Sequence, residues 1–95
     1  MHDTMTVFAI YDSKSEGFSR PIFSRNEATV QRELRDILAQ GNTPYAMHPE
    51  DYTLFRVGTW SEVSAQITYD TSPESLVLLM QYAPKRTEFV DHVAA

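Results

Sequence analysis

The sequence contains no cysteine, which removes disulfide bridges and thiolate metal sites as supports for its core. That suits a reducing compartment. Glycine is almost as scarce: Gly17, Gly41 and Gly58 stand too far apart to build a glycine-rich phosphate cradle. No Gly-x-Ser-x-Gly elbow occurs, and without cysteine either, nucleophilic catalysis has no starting point. No apolar run approaches the roughly 20 residues that span a bilayer. The N-terminal MHDTMTVFAI lacks the basic segment and long apolar stretch of a secretory leader. A soluble, unprocessed, non-enzymatic protein with no cofactor and no membrane contact is expected.

Positive charge is also in short supply. Eight Lys and Arg against 13 Asp and Glu leave a formal charge of -5 over 95 residues, unlike a protein that coats DNA by neutralising phosphates. The distribution is uneven. Residues 14 to 35 hold Lys14, Arg20, Arg25, Arg32 and Arg35 against Glu16, Glu27 and Glu33, whereas the chain after residue 35 is strongly acidic. Such asymmetry is compatible with a polar partner held by one face.

The hydrophobic pattern predicts one small domain over residues 6–82, which at this length buries about 60–65 % of the surface its unfolded chain exposes. From Thr6 to Tyr11 both alternating sets are largely apolar, as in a strand covered on two faces. Turn formers fill residues 12–20, and Pro21 confines the following PIF stretch to a sheet edge. Ser24 and Glu27 have capping-box spacing. Val30, Leu34, Ile37 and Leu38 then fall on one helical stripe that Gly41 ends. Arg25, Arg32 and Arg35 project roughly opposite that stripe.

Residues 42–51, NTPYAMHPED, read as a loop. Tyr52 to Val57 resumes alternation, with Gly58 ending or bulging the strand. Ala65, Ile67 and Tyr69 form a one-sided strand that could pair with it as a hairpin across residues 60–64. Ser72 before Pro73 suggests a cap, so the apolar run Leu76 to Met80 is expected as a buried helix. Residues 83–95 are expected as a tail, either a docked short helix or disordered. The order β-α-β-β-α gives an α+β fold: a small antiparallel or mixed sheet of three or four strands packed against two helices.

Two clusters offer chemistry. His48, Glu50 and Asp51 are three ligand types within four residues, but the spacing matches no two-His helix or calcium loop. The structural reading is preferred: Pro49 holds His48 extended, and Glu50 or Asp51 accepts backbone donors in a turn that aims Tyr52 into the sheet. No metal is expected. The second cluster suits nucleic acid, with Lys14, Arg20, Arg25, Arg32 and Arg35 for phosphate. Tyr11, Phe18, Tyr45 and Tyr52, in or beside loops, are available for base stacking.

Three strings then become recognisable: YDSK at Tyr11 to Lys14, P-x-F at Pro21 to Phe23, and HPEDYTLF from His48 to Phe55 followed by Gly58. With Ser72-Pro73 before a leucine, the chain resembles the small nonstructural protein of gokushovirus-type microviruses, single-stranded DNA bacteriophages. The resemblance spans roughly residues 6–82. It implies a nonstructural phage protein in the host cytoplasm, outside the virion, that binds single-stranded DNA. It also implies a part in the switch from double-stranded copying to single-strand synthesis or packaging. The alternative is an adaptor that recruits a phage or host replication protein through its acidic half and the apolar segments 76–80 and 89–93. A homodimer is expected in either case, because sheet edges and an apolar helix need cover.

Overall fold

The structure, a computed structural model, describes residues 4–82. Its centre is an antiparallel five-stranded sheet, which bears out the α+β class with more strands than the three or four expected. The strands are β1 (Thr4–Asp12), β2 (Gly17–Phe18), β3 (Ile22–Ser24), β4 (Tyr52–Ser61) and β5 (Ile67–Leu78). Their order is β2-β1-β4-β5, and β3 also pairs with β1. Since β4 occupies one edge of β1 along its whole length, β2 and β3 share the other as one interrupted strand. Helices α1 (Glu27–Gln40) and α2 (Pro44–Met47) connect β3 to β4.

The two-sided pattern of β1 holds: Val7, Phe8, Ala9 and Ile10 are all buried. Phe8 and Ile10 face the helix layer and meet Val30, Leu34 and Leu38 of α1 together with Leu54 and Leu79. That is the expected stripe, and Ile37 packs against it. Each large side chain buried there contributes about 1.5–3 kcal/mol. Helix α1 stops at Gly41, whose φ of 80° is the left-handed region that L side chains enter reluctantly.

Its start differs from expectation. Asn26, not Ser24, is the cap, accepting from the Thr29 amide at 2.8 Å and the Thr29 hydroxyl at 2.9 Å. Ser24 is held instead in β3, buried, opposite Thr6. Residues 42–51 are also more ordered than a loop. Thr43 caps α2 through its hydroxyl, with Pro44 in the first turn, and Pro49–Asp51 make a 3₁₀ turn.

The expected second helix is overturned. Residues 73–78 continue β5, and only Leu79–Tyr82 turn, in a 3₁₀ segment. Three conditions favour the strand. The ten-residue β4 has an edge to pair, and Leu76 to Met80 is too short to impose a helical period. Pro73, lacking an N–H, sits where the ladder is already broken: Arg56 pairs with Glu74 but Gly58 with Tyr69, so Val57 faces four residues, Asp70 to Pro73.

The β4–β5 hairpin exists, with its turn at residues 62–66. There the Ser61 hydroxyl accepts from the Val63 and Ser64 amides at 3.2 Å each. Ala65, expected in the strand, lies in the turn at φ 63°. Gly58 marks the expected bulge, although β4 runs on to Ser61. The expected tail lies outside the described residues.

Candidate nucleic-acid interface

Strand alternation decides which residues share the sheet face turned away from the helices. On β1 these are Val7, Ala9 and Tyr11, the set opposite Phe8 and Ile10. Register brings Phe18 beside Tyr11 and Phe23 beside Val7. It also aligns Phe55 with Ala9 and Trp60 with Met5, and sets Ile67 and Tyr69 opposite Trp60 and Gly58. Tyr11, Phe18 and Phe55 form one aromatic cluster, with ring centroids 5.0 Å apart for Tyr11 and Phe18 and 5.2 Å for Phe18 and Phe55. Phe23 meets Trp60 edge-on at 5.8 Å. These are the tilted and edge-on arrangements that ring quadrupoles favour.

No second layer covers this face among the described residues. Phe18 is 49 % exposed and Tyr69 68 %. Between them a cleft of about 230 Å³ crosses the sheet. Phe18 and Pro21 form one wall, Val7, Ala9 and Val57 the floor, and Ile67, Tyr69 and Pro73 the other wall. The second wall exists because β5 arches at residues 70–73. Arg56 pins that arch by donating to the Asp70 carboxylate at 2.9 Å. Both side chains are about a third exposed, so the pair adds no more than about 1 kcal/mol.

The hairpin at the other edge is fixed by Asp12. Its carboxylate accepts from the Lys14 amide at 2.9 Å and the Ser15 amide at 3.4 Å. The Lys14 amide is the main reason its pKa lies below the ordinary 3.8. Glu16 closes the turn at φ 59°, donating its amide to the Asp12 carbonyl. Farther along, the Ser19 hydroxyl accepts from the Ile10 amide at 2.9 Å and donates to the Arg20 carbonyl at 3.0 Å. This interruption separates β2 from β3 and leaves Arg20 between two residues that line the cleft. Arg25 follows β3 directly. Lys14, Arg20 and Arg25 thus succeed one another along the edge of the aromatic face.

The remaining sequence candidates lie elsewhere. Arg32 and Arg35 belong to α1, in the layer behind the sheet, where Glu27, Glu33 and Asp36 outnumber them. Arg35 sits 5.0 Å above the Tyr82 ring. Burial raises the pKa of that phenol, whose hydroxyl has no hydrogen-bond partner among the described residues. Tyr45 stacks edge-on against Tyr52 at 4.8 Å, and both pack on the helix-side core. Burial raises the Tyr52 pKa as well. The basic residues therefore do not form one surface. Three border the aromatic face and two do not. Among the described residues, the ion pairs within 4.0 Å are His48–Glu50 and Arg56–Asp70, so Lys14, Arg20 and Arg25 make none, although the Lys14 charge is near enough to help lower the Asp12 pKa.

Sequence reasoning missed Phe23, Phe55, Trp60 and Tyr69. Their parity was legible, most clearly in the alternation of Ile67 and Tyr69. Which face the helices would cover was not.

His48, Glu50 and Asp51 do converge, with ligand atoms within 4.8 Å of one another. They stand on the surface, however, and the turn is built by backbone. The Asp51 amide donates to the His48 carbonyl, and the Asp51 carbonyl accepts from the Ser13 amide, each at 3.0 Å. Among the described residues, no backbone donor reaches the Glu50 or Asp51 carboxylate that was expected to accept one.

A family model described as Phage ORF5 protein matches residues 5–82. No curated protein and no solved structure matches the chain. Because that match runs from the first strand to the last turn of the described fold, the chain belongs to the phage ORF5 protein family and is a bacteriophage protein.

Proposed function

We propose that this phage protein is a non-enzymatic, nonstructural factor that binds single-stranded DNA across its open sheet face. On this reading it acts in the host cytoplasm, in the switch to single-strand genome synthesis or packaging. One observation carries the reading: among the described residues, an aromatic sheet face without a second layer is bordered by three cations, Lys14, Arg20 and Arg25, that have no acidic partner within 4.0 Å. Such a combination suits single strands, whose bases stack on aromatic rings while phosphates meet the basic border. The formal charge of -5 confines attraction to that border, and the phosphate contacts made there render binding salt-sensitive.

Fluorescence anisotropy with a labelled single-stranded oligonucleotide at several salt concentrations tests this. Three phosphate contacts predict log K falling against log salt with a slope of about -2. Replacing Lys14, Arg20 and Arg25 with Ala should flatten the slope, whereas replacing Arg32 and Arg35 should leave it unchanged. Failure to bind even at low salt would refute the reading.

A second reading, an adaptor for a phage or host replication protein, draws support from Leu78 and Met80. They are 38 % and 50 % exposed where β5 ends. A pull-down that retains its partner after Leu78→Ser and Met80→Ser would count against it.

A further inference from the structure

Four apolar side chains on the open face stay substantially exposed: Phe18 at 49 %, Phe23 at 42 %, Ile67 at 38 % and Tyr69 at 68 %. With about 200 Å² on each such side chain, they offer roughly 400 Å². A stable protein interface needs roughly 800 Å² from each partner, so this patch is small for a second copy of the chain. The cleft inside it is also small. Its volume of about 230 Å³ falls below the roughly 300–1,000 Å³ of sites for drug-sized ligands. A single flat ring system suits it better.

The chemistry of the lining narrows the occupant further. Among the described residues, the polar side-chain atoms lining the cleft are the Tyr69 hydroxyl and the Ser19 hydroxyl oxygen. The Ser19 hydroxyl is already committed, accepting from the Ile10 amide and donating to the Arg20 carbonyl. A ligand therefore finds aromatic and aliphatic surface and almost nothing that reads donors and acceptors. The charge lies outside, on Lys14, Arg20 and Arg25 along the β2–β3 edge. An occupant with a flat apolar ring and an attached anionic chain matches both features.

Resting on the single-strand reading above, we propose that the cleft seats one unstacked nucleobase between Phe18 and Tyr69. The sugar-phosphate chain follows the β2–β3 edge past Lys14, Arg20 and Arg25. Recognition is tolerant of base identity, because the walls stack rather than read base edges. Tyr69 stands opposite Gly58 and is 68 % exposed, so most of its ring is available to stack on a base.

The test compares a labelled 12-nucleotide oligothymidylate with an abasic oligomer of the same length, which carries the phosphates without the bases. The full chain should bind the base-bearing strand about 5- to 150-fold more tightly, the range given by stacking one base. Oligomers of thymine, cytosine and adenine should agree within about three-fold. Tyr69→Leu should bring thymidylate affinity down towards the abasic value while leaving abasic binding unchanged. Phe18→Leu should do the same, with circular dichroism to verify its fold, since Phe18 also packs on Tyr11 and Phe55.

Equal affinity for the two oligomers would overturn the base-seating proposal and leave salt-dependent phosphate binding intact. Absence of binding to either would overturn both. Light scattering that finds a dimer dissolved by Tyr69→Leu would assign the face to a second copy and overturn the proposal.

Discussion

Replacing Gly58 with alanine tests the strand register on which the open face depends. A Cβ built there would lie 2.2 Å from the Thr68 carbonyl oxygen and 3.0 Å from the Tyr69 Cα. Ordinary contact begins near 3.4 Å, so β5 would have to retreat by about 1 Å. Both obstructing atoms are backbone, and no rotamer change relieves them. The retreat would strain the pairs Gly58–Tyr69, Thr59–Thr68 and Trp60–Ile67. Overpacking of this kind destabilises by about 1–3 kcal/mol. Alanine also restricts the unfolded chain, which returns about 0.4–1 kcal/mol. The clash wins, leaving about 1–2 kcal/mol of net destabilisation. Urea unfolding should show a lower midpoint at unchanged m-value, and the melting temperature should fall by about 4–16 °C. Because Ile67 and Tyr69 form one wall of the cleft, single-strand affinity should fall as well. An unchanged or raised midpoint would mean that β5 does not pass Gly58 at this register.

Leu54 is fully buried between the sheet and α1, and Leu54→Ala should cost about 2–5 kcal/mol in urea unfolding, as expected of a poorly collapsing core site. Asn26→Ala removes the cap of α1 and should cost about 1 kcal/mol, whereas Asn26→Asp should be nearly neutral; a silent alanine variant would argue for Ser24 as the true cap. The Asp12 carboxylate, held below its ordinary 3.8 by the Lys14 amide, contributes stability that is complete above that ordinary value and lost as pH falls through the lowered one. Wild type should therefore exceed Asp12→Ala in stability near pH 6 and converge with it in strong acid, and a gap independent of pH would exclude the carboxylate as the cause. Because burial raises the Tyr52 and Tyr82 phenols, their protonated forms stabilise the fold at neutral pH, and that contribution should disappear as pH rises through their raised values. Phenylalanine at both positions should weaken the alkaline loss, which unfolding followed from pH 8 upward would reveal.

Several features were fixed by local chemistry. The stripe of Val30, Leu34, Ile37 and Leu38 requires a helix with one buried face, and Gly41 can end it in a conformation other residues avoid. Apolar residues on both parities of Thr6 to Tyr11 predict a strand shielded on two sides, and β1 has Val7 and Ala9 buried as well as Phe8 and Ile10, the first two on the face where the described residues supply no second layer. The strings YDSK and HPEDYTLF mark turns, at Asp12 and at Pro49–Asp51, although the Ser13 amide that donates to the Asp51 carbonyl joins the two across the fold.

Other features depended on partners distant in the chain. Whether Pro73 opened a helix or sat in a bulge was decided by the unpaired edge of β4, which residues 73–78 do not encode. The aromatic face came from register: Phe18 and Phe55 are far apart in sequence and meet only because β2 and β4 flank β1. The division of the five basic residues, three beside that face and two behind it, followed from the sheet side on which α1 packed. Alternation sorts side chains into two sets, but only the assembled layers determine which set the helices cover and which is left for a ligand.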